Sequence, residues 1–266
     1  MRMSYHGSAN LKAAFLREIG KHEAADALMK GTYGMMNSHF RGCAIGCSVY
    51  SLNVLKGQTG AIAAKNTGEH TRLSTDLGWP VWLAHVEDHF FEQLPDESWK
   101  TWPRRLAEAM PVGATEPQMD LVLAKLLHWM LVHERFGIVN VAHTEDVKKV
   151  VTAMAALFER TIAGDVVPDA EWNEVARNAW HAWDTWAAWA ARAAWVALDA
   201  WVARAALDTR VAGAVWAARA TWSTRAARDA RDTEVRDAFY PALSETLLRL
   251  LRELQPPSVN TMADTW

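Results

Sequence analysis

Cysteine is nearly missing from this chain: its 266 residues include two, Cys43 and Cys47. That excludes a disulfide-stapled scaffold, and a bridge between residues four apart on one helix is strained. Reduced thiols point to a cytosolic setting. A charge excess of either sign is missing too, with 28 Lys and Arg against 31 Asp and Glu. This near balance excludes a strongly basic nucleic-acid binder. No run approaches the roughly 20 uninterrupted apolar residues that span a bilayer. The apolar stretch around Trp186 is broken by Asp184, Arg192, Asp199 and Arg204. The N-terminus shows no apolar run followed by a small-residue cleavage site, so no secretory signal is read there. The expected location is the cytoplasm, with no membrane partner. Also missing are a G-x-S-x-G elbow, a dinucleotide fingerprint, a GK[ST] phosphate loop and a CxxC pair. No cofactor is assigned, and no strong motif supports an enzyme.

What is present is apolar mass at helical spacing. Hydrophobic residues make up 50% of the chain, enough for a sizeable core. Leu11, Phe15, Ile19 and Leu28 predict a first helix over 11–29, capped by Ser8 or Asn10. Residues 31–42 and 56–78, rich in Gly, Ser, Asn or Thr, read as irregular. Pro80 suits the first turn of a helix that ends at Gln93, before Leu94-Pro95. A short helix over 103–110 follows, then helices over 117–136, from Thr144 to Ile162, and from Pro168 onward. No series of short alternating strands is found. The predicted fold class is all-α.

Tryptophan is the surplus. Fifteen are present, nine of them between Trp172 and Trp222 on an alanine-rich background. From Glu171 to Arg236 there is no proline and one glycine, Gly213, so the tract predicts helix. As one rod it would be about 95 Å long, against a diameter of about 50 Å for a compact chain of this length. A break near 208–213, or self-association, is therefore expected. Around the helix the indoles point in nearly every direction, the pattern of a helix buried on all sides. Nine arginines against seven acidic residues over 172–236 are too few for a phosphate-tracking groove, so nucleic acid is disfavoured. The expected organisation is a helical part over 1–166, an Ala/Trp-rich helical part over 167–255 packed on it, and a flexible tail over 256–266.

Three groups of residues can carry chemistry. Arg41, Gly42, Cys43, Gly46, Cys47 and Ser48 combine glycine-exposed backbone N–H groups with a cation before a helix. Such a turn can cradle an anion, and a helix dipole can activate its thiols; small residues that permit close packing explain it equally well. In the second group, His85, Asp88, His89 and Glu92 share a broad helical face beside Glu87. This is a sterically possible metal face without the zincin pattern, and no metal is assigned. The third comprises His128, His133-Glu134 and His143. Of these His128 is kept as a candidate contact, although a satisfied core histidine is the simpler reading.

The segments GTY, RGCAIGCS, LGWPVWLAHVEDHFFEQLP and WPRRLAEAMPVGA resemble a group of phage and bacterial proteins. Its members carry GCAxGC, LEDxxFExLP and IPVGA-like segments ahead of a long alanine-rich helix with periodic aromatics. The resemblance runs from Gly31 to about Arg236. It falls on Gly42, Cys43, Gly46, Cys47, Glu87, Asp88, Glu92, Pro103, Pro111 and Gly113, while Met110 stands where isoleucine is usual. Histidine is not required at 85 or 89 in that pattern, which weakens a metal there. A phage setting implies an accessory protein that blunts host defence, in the host cytoplasm, by sequestering a nucleotide-derived signal without cleaving it. The expected ligand is then small and anionic or nucleotide-like. Its candidate contacts are Arg41, Gly42, Cys43, Gly46, Cys47, Ser48, Glu87, Asp88, Glu92 and His128. A cysteine- or metal-dependent hydrolase or transferase and a self-assembling helical protein are the alternatives. A homo-oligomer is expected.

Overall fold

The computed structural model describes residues 2–140, 145–183 and 230–254. Helices make up most of them, as the periodicity predicts, and no described helix is long and apolar enough to cross a membrane. The expected helix break at 208–213, the tail 256–266 and His143 lie outside the described residues. By packing, the chain forms two units. One joins residues 1–119 to the C-terminal part from Ser244; the other runs from Asp120 to Leu243.

The first unit opens with a 3₁₀ turn, Ser4–Gly7, in which Tyr5 and His6 both take φ of 51°. Left-handed backbone is strained for such residues, and the surroundings hold it in place. Ser4 N donates to Ala114 O at 2.9 Å and Ala114 N to Ser4 Oγ at 2.8 Å. Tyr5 Oη donates to the Ala107 carbonyl at 2.7 Å. The PVGA segment thus serves as the anchor of the N-terminus.

Helix α1, Ala9–Ala24, is capped by Ser8 Oγ, which accepts from Leu11 N at 3.1 Å. It stops five residues before the expected end, because residues 27–29 extend alongside Gly42: Gly42 N donates to Ala27 O and Met29 N to Gly42 O. The two-residue strands β1, Met35–Met36, and β2, Phe40–Arg41, pair antiparallel. Then come α2, Ala44–Leu55, α3, Gly60–Ala63, and α4, Thr71–Leu77, so the tract read as irregular contains two short helices. Helix α5, Val81–Gln93, has the predicted limits.

Helix α6, Ser98–Ala109, begins well before Pro103 and carries that proline inside it. Proline there forgoes one helical hydrogen bond, yet the earlier start places two indoles. Trp102 packs 5.5 Å from Phe90 and Trp99 lies edge-on to Phe91 at 5.3 Å. Tertiary packing prevails over the local signal. Helices α1, α4, α5 and α6 pack around α2, and Phe15, Ile45, Leu83, Phe90 and Trp102 are buried among them.

Helix α7, Glu116–Val132, leads to the second unit, which continues through a 3₁₀ turn, Ile138–Asn140, α8, Glu145–Ala163, and α9, Asp169–Trp183. Within it Phe158 packs 4.9 Å from Trp172, and Arg160 is ion-paired with Glu171. Helix α10, Ala230–Arg252, supplies Phe239, 6.1 Å from Trp129 and 6.2 Å from Phe136, to an aromatic cluster in the same unit.

Candidate functional site

Most candidate residues gather in the first unit, where α2 meets α5. Cys43 is the N-cap of α2: its Sγ accepts from Gly46 N at 3.5 Å, and its own N donates to Thr32 O at 2.7 Å. The glycines of this segment have a geometric reason. A Cβ at Gly46 would lie 1.8 Å from the Tyr33 carbonyl oxygen, and one at Gly42 would lie 2.9 Å from it. The space that the sequence suggests for an anion is filled by the chain's own Tyr33 backbone. Glu92 holds that segment from the other side, its Oε1 accepting from Gly31 N at 3.0 Å. Lys30 Nζ adds bonds to the carbonyls of Glu92 at 3.1 Å and Leu94 at 2.7 Å.

Tyr33 presents its ring at the surface, 48% exposed. A Cβ on Gly68 would come within 3.1 Å of this ring, so glycine there leaves room for it. The Tyr33 and His70 rings meet edge-to-face at 5.8 Å, and His70 stacks on His85 at 4.5 Å with 14° between the planes. His70 Nδ1 lies 3.1 Å from Gly68 O and its Nε2 lies 3.1 Å from Asp88 Oδ2. Both ring nitrogens therefore face protein acceptors. Asp88 also sits beside the Cys43 thiol. Tyr33, His70, His85, Asp88 and Cys43 form one cluster from four parts of the chain.

Next to it lies a second, buried cluster. Glu87 is 1% exposed; its Oε1 accepts from Ser48 Oγ at 3.0 Å and its Oε2 has no hydrogen-bond partner. Burial pushes the Glu87 carboxyl up to about 8, with the Asp88 charge acting in the same direction and the Ser48 hydroxyl opposing it. At neutral pH this group is mostly the acid. Trp102 Nε1 donates to the Glu87 carbonyl at 3.0 Å and fixes the helix beneath it.

The thiols are silent at neutral pH. Burial pushes Cys43 up to about 12, the bond from Gly46 opposing and Asp88 reinforcing the shift. Cys47 is raised further by burial, helped by Cys43 and Glu87. Its Sγ donates to Gly42 O at 3.5 Å. A helix N-terminus alone does not make a thiolate when the sulfur is out of water. His89 is pushed down to about 4 by burial, against the Asp88 charge. Among the described residues no group of three His, Cys, Asp or Glu side chains is arranged to hold a metal ion. Neither His85 nor His89 is assigned as a ligand.

Two candidates lie elsewhere. Arg41, on β2, is half-buried with its Nε unpartnered, and its charge is felt by Asp26. His128 belongs to the second unit, where its Nε2 lies 3.0 Å from Glu159 Oε1. The residues that sequence reasoning missed are Tyr33 and His70. Both stand in segments without periodicity, and only tertiary contacts, such as Tyr33 with Gly46 and His70 with Asp88, reveal them. Compared with family models, with curated proteins and with solved structures, the chain has no match among them.

Proposed function

We propose that the first unit is a non-catalytic binding module for a small anionic, nucleotide-like ligand, held at the Tyr33–His70–His85 cluster and released uncleaved. The carrying observation is the ring stack itself. An exposed phenol and an exposed imidazole flank His70, whose two nitrogens are both turned to acceptors. Planar heterocycles such as a nucleobase stack on such rings. The Cys43 and Cys47 thiols are held protonated, which speaks for retention over nucleophilic attack. The resemblance to phage proteins gives the reading a setting, sequestration of a nucleotide-derived defence signal.

The test is calorimetry of the purified chain against cyclic mono- and dinucleotides and ADP-ribose derivatives. Heat release of the bound ligand and its mass spectrum come next. The expected result is saturable binding of one class, recovery of that ligand intact, and weaker binding after Tyr33→Ala. Absence of binding across the whole panel, or recovery of a cleaved product, overturns the proposal.

A further inference from the structure

Among the described residues no cation balances the Glu87 carboxyl. From α2 it meets the Ser48 hydroxyl, which donates at 3.0 Å, and the Cys47 thiol. From the N-terminal 3₁₀ turn it feels Tyr5, and on its own helix Asp88. The charges of the neighbouring helices pair elsewhere. On α4, Arg72 binds Asp76 at 2.8 Å, and Asp76 also takes Lys56 at 2.7 Å. His70, just before α4, faces Asp88. On α6, Lys100 takes Asp26 and Glu97, Arg104 takes Glu23, and Arg105 takes Glu245.

The chemistry of that position follows from hydrogen-bond capacity. A neutral carboxyl needs little solvation, and Ser48 satisfies one of its oxygens. A carboxylate has acceptor sites on both oxygens and a full charge, yet the protein gives one of these oxygens no donor. The ionised form can be solvated only if α2 and α5 part enough to admit water. We propose that the Glu87 carboxyl is a proton-operated latch between α2 and α5: as the acid it lets the helices stay packed, and on ionisation it releases the N-terminal half of α2. That half carries Gly46 and Cys47 and follows directly on Gly42 and the Cys43 cap, against which the Tyr33 segment rests, so release loosens that segment as well. The latch stands on packing alone and does not depend on what the ring stack binds.

A clean pH window is available. Glu87 has its folded value raised from 4.5 to about 8, so its contribution is complete below 4.5 and is lost as pH rises through 8. His22 and His89 are lowered from 6.5 to about 4, so their effect falls below 6.5. The thiols, raised from 9.0, act above 9. From about pH 6.5 to 8, Glu87 acts alone among the shifted groups of the described residues.

The experiment is hydrogen exchange of the full chain at residues 46–51 between pH 6.5 and 9, corrected for the intrinsic pH dependence of exchange. The expected opening constant rises by up to roughly tenfold per pH unit, one proton's worth, and levels off above about 8. Glu87→Gln keeps the shape and the Ser48 contact and abolishes this slope. Ser48→Ala removes the donor that favours the ionised form and moves the midpoint to higher pH. Carbon-13 titration of the Glu87 carboxyl in the unmutated chain provides a reading that needs no variant. A midpoint near 8 supports the latch. A midpoint in the ordinary carboxylate range, or equal slopes in the parent and Glu87→Gln chains, overturns it.

Discussion

Along α5 one side, with Trp82, Leu83, Val86, Glu87, Phe90 and Phe91, is buried, while the other, with His85, Asp88 and Glu92, reaches the rim. Glu87 and Asp88 are adjacent in sequence and about 100° apart around the helix. The first carboxyl enters an apolar interior with one hydroxyl donor and holds its proton near neutral pH. The second meets a histidine and half-exposed surroundings. The same side-chain chemistry becomes a neutral packing element on one side and a charged organiser on the other. Environment decides between them, through solvation of the ionised form.

The contrast can be broken most forcefully from the buried side. Trp102→Ala removes a ring of 0% exposure and the donor to the Glu87 carbonyl. Its expected loss is about 3–5 kcal/mol by chemical denaturation. A loss comparable to that of a surface substitution would mean that the interior around Glu87 is loosely packed. Gly46→Ala comes next, since its Cβ meets backbone at 1.8 Å. Overpacking of this kind costs about 1–3 kcal/mol, and a crystal structure of the variant should show the Tyr33 segment displaced from α2.

On the rim the effects are smaller. Asp88→Asn should cost about 1 kcal/mol and should let Cys43 ionise at lower pH, because a negative neighbour is gone. Ultraviolet titration of the thiolate reads this directly; an unchanged midpoint would separate Asp88 from the thiol. His85→Ala sharpens the comparison furthest. Stability should stay within about 0.5 kcal/mol, while calorimetry should show ligand binding weakened by about three- to tenfold through loss of one stacking face. A large stability loss with unchanged binding would assign His85 to the fold alone.

Much of this architecture is legible in the chain. Pro80 and Leu94-Pro95 mark the limits of α5, and the acidic start and Gly164 end mark α8, because caps and breakers act over a few residues. The Gly42-to-Ser48 segment is legible as a place of close approach, but not as to what approaches. Tyr33 fills it from ten residues upstream of Cys43, through backbone alone. Pro103 misleads for a similar reason: its local signal is a helix start, and the burial of Trp102 with the packing of Trp99 on Phe91 moves that start to Ser98.

The sequence by itself determined the all-α class, most of the helices and the helical face that aligns His85, Asp88 and Glu92, since these follow from spacing along one segment. It also determined that thiols are scarce and that the described helices are too polar to span a bilayer. Tertiary structure alone decided which carboxyl keeps its proton, which histidines stack and why both glycines before and within α2 are needed. Ser48 and Glu87 are 39 residues apart, and His70 and Asp88 are 18 apart. For Glu87, the water lost on burial against Ser48, rather than any local pattern, sets its charge.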